Sequence, residues 1–95
     1  MVAYAVFICD RLRDRELMQL YANDVGATFV GHDVIRRVAH GAFEVLEGAT
    51  METVTILEFP SANAVRAWYD SAAYREVRRQ RHLGADYRAF IVEGA

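Results

Sequence analysis

From Val2 to Cys9 the chain is almost free of polar side chains and mixes β-branched and aromatic residues with alanine, the pattern of a strand covered on both faces. Such a strand belongs at the centre of a sheet. After the charged turn Asp10-Arg11-Leu12-Arg13 the period becomes helical. Met18, Tyr21, Ala22, Val25 and Phe29 recur on one side, Asp14 stands at the cap position, and Glu16 falls in the first turn, where the helix dipole favours an acid. Gly26 and Gly31 bracket the helix exit. His32 to Ala39 then alternates charged and aliphatic positions, which predicts a half-polar second strand. The long connection after it, punctuated by His40-Gly41 and Glu47-Gly48, holds an apolar stretch from Ala42 to Leu46 that reads as a short strand. Thr53 to Phe59 forms the third main strand and makes a hairpin with the second.

Pro60 ends that strand and the Ser61 hydroxyl can cap a second helix with Val65, Trp68 and Tyr69 on one face. Asp70 or Ser71 offers another cap, so this helix is expected to break and restart. In the restarted segment Tyr74, Val77, Arg78 and Arg81 share a face, while Arg75, Arg79 and His82 share another. Tyr87 to Glu93 supplies the last strand. The order strand, helix, strand, strand, helix, strand predicts a ferredoxin-like α+β fold, an antiparallel sheet with both helices on one face. The other face also carries aliphatic residues, and the simplest cover for it is an identical sheet. The expected assembly is therefore a homodimer through the sheet faces, a dimeric α/β barrel.

Size adds weight to the dimer. The 95 residues make one domain, 1–95, whose core is adequate but not generous. A net charge of −2 gives no general attraction to a phosphate backbone or an anionic bilayer, so neither nucleic acid nor membrane is an expected partner. There is no lysine, which excludes Schiff-base and P-loop lysine chemistry. The single Cys9 lies in an apolar run and reads as a small buried hydrophobe in a reducing compartment. The apolar N-terminal run lacks a basic leader and stops at Asp10, too short for a signal peptide or a span, which points to the cytoplasm. His32, His40 and His82 are scattered without an i, i+4 pair, and no glycine-rich phosphate loop exists, so no metal or cofactor is expected.

Several residues together resemble a known family, the domain of unknown function 1330, within the dimeric α/β-barrel superfamily. They are Gly31, Arg36, Val45-Leu46-Glu47-Gly48, Ile56-Leu57-Glu58-Phe59-Pro60-Ser61, Trp68-Tyr69-Asp70-Ser71, Tyr74 and Arg81, and the likeness runs from about Phe29 to Gly94. His32 stands where the family usually shows a basic residue, Arg37-Val38 replaces a common glycine pair, and Ala72-Ala73 replaces a frequent Pro-Glu. The resemblance implies a fold and a candidate pocket, not a reaction. The wider superfamily spans cofactor-free oxygenases, isomerases, haem-handling enzymes and plain ligand-binding modules.

Candidate chemistry follows from charges placed among apolar neighbours. Glu58 interrupts a hydrophobic strand and needs a cation, for which Arg36 on the adjacent strand is the natural partner. A structural ion pair is the simpler reading, and a catalytic acid the sharper one. Arg81 sits on the apolar face of its helix and calls for an anion, either Glu47 or Glu58 or a ligand. Trp68 reads as core, Tyr69 and Tyr74 as core or cleft in equal measure, and Ser71 as a helix cap more than a nucleophile. His32 is a candidate base if the second strand lines a cavity. The function that emerges is binding of a small anionic or aromatic metabolite between sheet and helices, with Arg36, Trp68, Tyr69, Ser71, Tyr74 and Arg81 as its contacts. Two alternatives stand beside it: a cofactor-independent isomerase or monooxygenase using Glu58 or His32, and a purely structural dimerisation domain.

Overall fold

A computed structural model describes all residues, 1–95. In chain order the elements are β1 (Ala3–Leu12), α1 (Arg15–Asp24), a 3-10 segment (Val25–Phe29), β2 (Ile35–Ala39), β3 (Thr53–Phe59), α2 (Ala62–Tyr69), α3 (Ala72–Gly84) and β4 (Ala85–Glu93). The sheet order is β2-β3-β1-β4, antiparallel throughout, with β1 and β3 central. This is the ferredoxin-like α+β fold. The helices cover the face onto which Ala3, Ala5, Phe7 and Cys9 of β1 and Leu57 and Phe59 of β3 project, all of them buried.

Trp68 is the centre of the core. It is 0% exposed and meets Phe7 edge-on, Phe29 and Phe59 at a tilt, and Tyr74 at 4.0 Å between ring centroids. Its indole N–H donates to Thr28 Oγ1 at 3.0 Å, so the one polar atom of the ring is satisfied in the interior. The break between α2 and α3 makes this packing possible, and Ser71 produces the break. Ser71 is extended (φ −61°, ψ 150°); its hydroxyl donates to Trp68 O at 2.7 Å and accepts from Tyr74 N at 3.3 Å. One serine thus closes α2 and caps α3, bringing Trp68 and Tyr74 face to face. Ser61 and Asp14 cap α2 and α1 as expected, each accepting a backbone N–H at 3.1 Å.

The end of α3 is fastened to the start of α1. The Arg13 guanidinium donates to Leu83 O, His82 O and Ala85 O and to Asp86 Oδ1, satisfying carbonyls that a helix terminus leaves open. Gly84 allows the approach, because a Cβ there would lie 3.0 Å from Met18 Sδ and 3.1 Å from Leu17 Cβ.

Four expectations are corrected, the first being the charged turn Asp10-Arg11-Leu12-Arg13: Asp10 to Leu12 continue β1, with Arg11 and Leu12 paired to β4 beyond a bulge. The second strand begins at Ile35 rather than His32, because the chain is still turning out of the 3-10 segment through Gly31 (φ +85°). The stretch Ala42–Leu46 is irregular: β2 and β3 pair with each other and leave it no ladder to join. The helical stripe that ran on to Phe29 tightens into 3-10 turns after Asp24, where Thr28 Oγ1 donates to Val25 O at 2.6 Å.

The face of the sheet away from the helices carries Tyr4, Val6 and Ile8 of β1, Val54 and Ile56 of β3, and Phe90 and Val92 of β4. No helix of this chain covers it, and Phe90 and Val92 are 49% and 46% exposed.

Candidate functional site

A cavity of about 640 Å³ opens between α1 and the sheet. Its floor is Phe7, Thr55 and Leu57, its helical wall Met18, Tyr21 and Val25, and its aromatic ends are Phe29, Trp68 and Tyr87. The small side chains Cys9, Ala39, Thr53 and Thr55 line its sheet side beside the larger floor residues, and Trp68 packs the core next to it. The volume falls within the roughly 300–1,000 Å³ usual for small-molecule sites.

The rim is polar. Arg36 projects from β2 onto the helix side, opposite Leu57 in the ladder, and its guanidinium lies 5.1 Å from the Phe29 ring centre. Arg15, Gln19, His40 and Glu52 complete the mouth. No carboxylate oxygen comes within 4.0 Å of Arg36 or Arg15. Cys9 lines the cavity as a buried thiol whose pKa is pushed up, first by burial and then by Glu52, so it is a poor nucleophile at neutral pH.

Behind the cavity wall lies an unusual cation. Arg81 is 3% exposed and no carboxylate reaches it within 4.0 Å. Its guanidinium stands 5.2 Å from the Phe7 ring centre and 4.9 Å from that of Tyr87. Nε donates to Tyr74 Oη at 3.3 Å, and Tyr74 Oη is 2.7 Å from Tyr21 Oη. Burial above all raises the pKa of both tyrosines, so both remain neutral phenols. A second, shallower cleft of about 480 Å³ reaches Arg81 from the other side, past Tyr69, His82 and Tyr87. His82 is held below its ordinary pKa, first by burial and then by Arg81 and Arg78.

The profile of the family described as Domain of unknown function (DUF1330) matches residues 2–95. The chain belongs to this family. No curated protein matches the DUF1330 chain. Among solved structures it is similar to RPA0582, a protein of unknown function from Rhodopseudomonas palustris, with a TM-score of 0.78, 22% identity, and coverage of 99% of this chain and 82% of that one. It is also similar to a dimeric ferredoxin-like protein of unknown function from Thermobifida fusca (TM-score 0.68, 11% identity, 99% and 92% coverage). A third is SnoaB, a cofactor-independent oxygenase from Streptomyces nogalater (TM-score 0.62, 12% identity, 99% and 92% coverage). At these identities the likeness carries the fold alone.

Within the DUF1330 fold the residues singled out in the sequence separate into groups. Arg36 and Trp68 line the large cavity, and Tyr69 and Arg81 line the second cleft. Tyr74 is fully buried between them, and Ser71 is engaged in capping. Glu58 and His32 border neither space. The expected Arg36–Glu58 pair does not form. Glu58 projects to the open sheet face, where Arg37 Nε reaches it at 3.0 Å, because the ladder slips between Arg36 and Val38 and swings Arg37 to that side. Arg81 likewise meets neither Glu47 nor Glu58, and the rings of Phe7 and Tyr87, the Tyr74 phenol and the His82 imidazole surround it instead.

Tyr21, Phe29 and Tyr87 line the cavity without having been singled out for it. Tyr21 and Phe29 belong to a helical stripe that by its period reads as core. The available signal was the hydroxyl of Tyr21, which a purely apolar stripe has no use for. No group of three or more His, Cys, Asp or Glu side chains converges as a metal site, and no helix is long and apolar enough to cross a membrane.

Proposed function

We propose that the protein is a homodimeric binding module for a small aromatic acid held in the 640 Å³ cavity. The observation that carries this reading is an aromatic-walled space whose rim presents Arg36 with no carboxylate partner. The ring system of the ligand lies against Phe7, Phe29 and Tyr87, with the buried Trp68 packed against the first two, and its carboxylate meets Arg36, whose planar fork suits a bidentate contact. Arg36 already leans on Phe29, so little side-chain freedom is lost on binding.

Trp68 is the chain's single tryptophan and lines the cavity, so its emission reports occupancy. Titration with 2-naphthoate is expected to quench it saturably, and Arg36→Ala to weaken binding about tenfold, the loss of one charge-assisted contact. Absence of saturable quenching, or an Arg36→Ala variant that binds as well as the parent, contradicts the assignment.

Dimerisation through the open sheet face fits the same account. A continuous row of Tyr4, Val6, Ile8, Ile56, Phe90 and Val92 left in water is what a second copy would cover, and the Thermobifida fusca protein of like fold is described as dimeric. Val6 lies at the middle of the face, opposite both Ile56 and Phe90, so Val6→Asp should give a monomer by size-exclusion chromatography. A dimer that survives this change places the interface elsewhere.

A second reading, a cofactor-independent oxygenase or isomerase, draws on the likeness in fold to SnoaB. The bases it invokes, Glu58 and His32, do not border the cavity, and the only carboxylate and imidazole that do, Glu52 and His40, stand at its mouth. A purely architectural role leaves an unfilled 640 Å³ space without explanation.

A further inference from the structure

The chain Arg81, Tyr74, Tyr21 has a direction. A guanidinium can only donate, so Tyr74 Oη must accept from Arg81 Nε. Tyr74 is 0% exposed, and the only other partner of its hydroxyl is Tyr21 Oη at 2.7 Å. If Tyr21 donated to Tyr74, the Tyr74 proton would be stranded in the core, a penalty that buried donors rarely carry. Tyr74 therefore donates to Tyr21, and the Tyr21 proton is left over. Tyr21 has no further acceptor within the protein, and it lines the large cavity.

We infer that Tyr21 presents a free O–H to the cavity and selects aromatic acids bearing a second oxygen acceptor, a keto or phenolate oxygen, separate from the carboxylate held at Arg36. This rests on the cavity being the ligand site proposed above. Arg81 supplies the polarity: an unneutralised buried cation at one end of the chain strengthens each successive donor, so an electron-rich oxygen at the other end completes the circuit. Tyr74 and Arg81 are positioning residues, since they act on the ligand only through Tyr21. The arrangement also accounts for an arginine buried without a carboxylate.

The test compares 2-naphthoate with 6-acetyl-2-naphthoate, whose keto oxygen can accept but not donate. The wild-type protein is expected to bind the keto acid about tenfold more tightly, and Tyr21→Phe to bring the two within about twofold by weakening the keto acid alone. Tyr74→Phe, which keeps the Tyr21 hydroxyl but cuts it from Arg81, should give an intermediate preference. The infrared keto stretch of the bound probe should lie lower in the wild type than in Tyr21→Phe, a signature that a merely structural tyrosine would not move. Equal affinities in the wild type, or a preference and keto stretch unchanged in Tyr21→Phe, overturn the inference and leave the cavity reading standing. Failure of both probes to bind at about 1 mM removes the cavity reading and this inference with it, whereas binding of 2-naphthoate without the keto acid overturns the inference alone.

Discussion

Trp68→Ala should lower stability by about 3–5 kcal/mol, the range for deleting a fully buried large aromatic. At about 4–8 °C per kcal/mol for a domain of this size, the melting temperature should fall by upwards of about 12 °C. The magnitude follows from what the indole touches. Phe7, Phe29, Phe59 and Tyr74 lose a shared neighbour, and Thr28 Oγ1 loses its buried donor. The loss also falls on function, because the vacated volume adjoins the cavity and blurs its wall. Should the alanine variant fail to fold, Trp68→Phe gives the readable case: it keeps an aromatic ring, loses the Thr28 bond and part of the contact area, and should melt between the two. Thermal unfolding followed by circular dichroism measures both. A Trp68→Ala protein melting within a few degrees of the parent would mean that the core does not turn on this residue.

Arg81→Met should have the opposite signature, with melting temperature held or raised while selectivity is lost. Burying a cation without a counter-charge costs several kcal/mol, which the faces of Phe7 and Tyr87, one bond to Tyr74 and a 3.4 Å contact from Nη2 to His82 Nε2 offset only in part. Methionine is flexible, fills comparable space between the same rings and carries no charge. Replacing buried ionic groups by well-packed apolar ones elsewhere is neutral or stabilising by about 1–4 kcal/mol. Tyr74 then loses its donor, Tyr21 is no longer polarised, and the preference for a keto-bearing naphthoate should shrink toward that of Tyr21→Phe. Proteins commonly hold such costly groups where function needs them. If Arg81→Met instead lost more than about 2 kcal/mol with ligand preference intact, Arg81 would be a strut of the fold and nothing more.

Features written in local chemistry were legible in the sequence. Ser61 and Ser71 each satisfy an N–H three residues on, and Pro60 stops β3 where it stands, so α2, α3 and β3 could be placed from a few side chains. The ferredoxin-like order followed from those elements. What escaped was set by register and by neighbours distant in sequence. Adjacent arginines, Arg36 and Arg37, cannot be assigned to opposite faces without knowing that the β2 ladder slips between them. That slip decides which one reaches Glu58 and which one reaches the cavity. Tyr21 and Tyr74 are 53 positions apart and meet through hydroxyls, a contact that no periodicity predicts. The apolar stretch Ala42–Leu46 had strand composition, but composition without a pairing partner makes no strand.

Native mass spectrometry of the full chain with 2-naphthoate present, beside a denatured control, tests the central claim most directly. The account predicts a dimer carrying one ligand mass per protomer, released on denaturation and much reduced in Arg36→Ala at a ligand concentration near the parent's Kd. A monomer, or a dimer that never takes up the ligand mass, would contradict it.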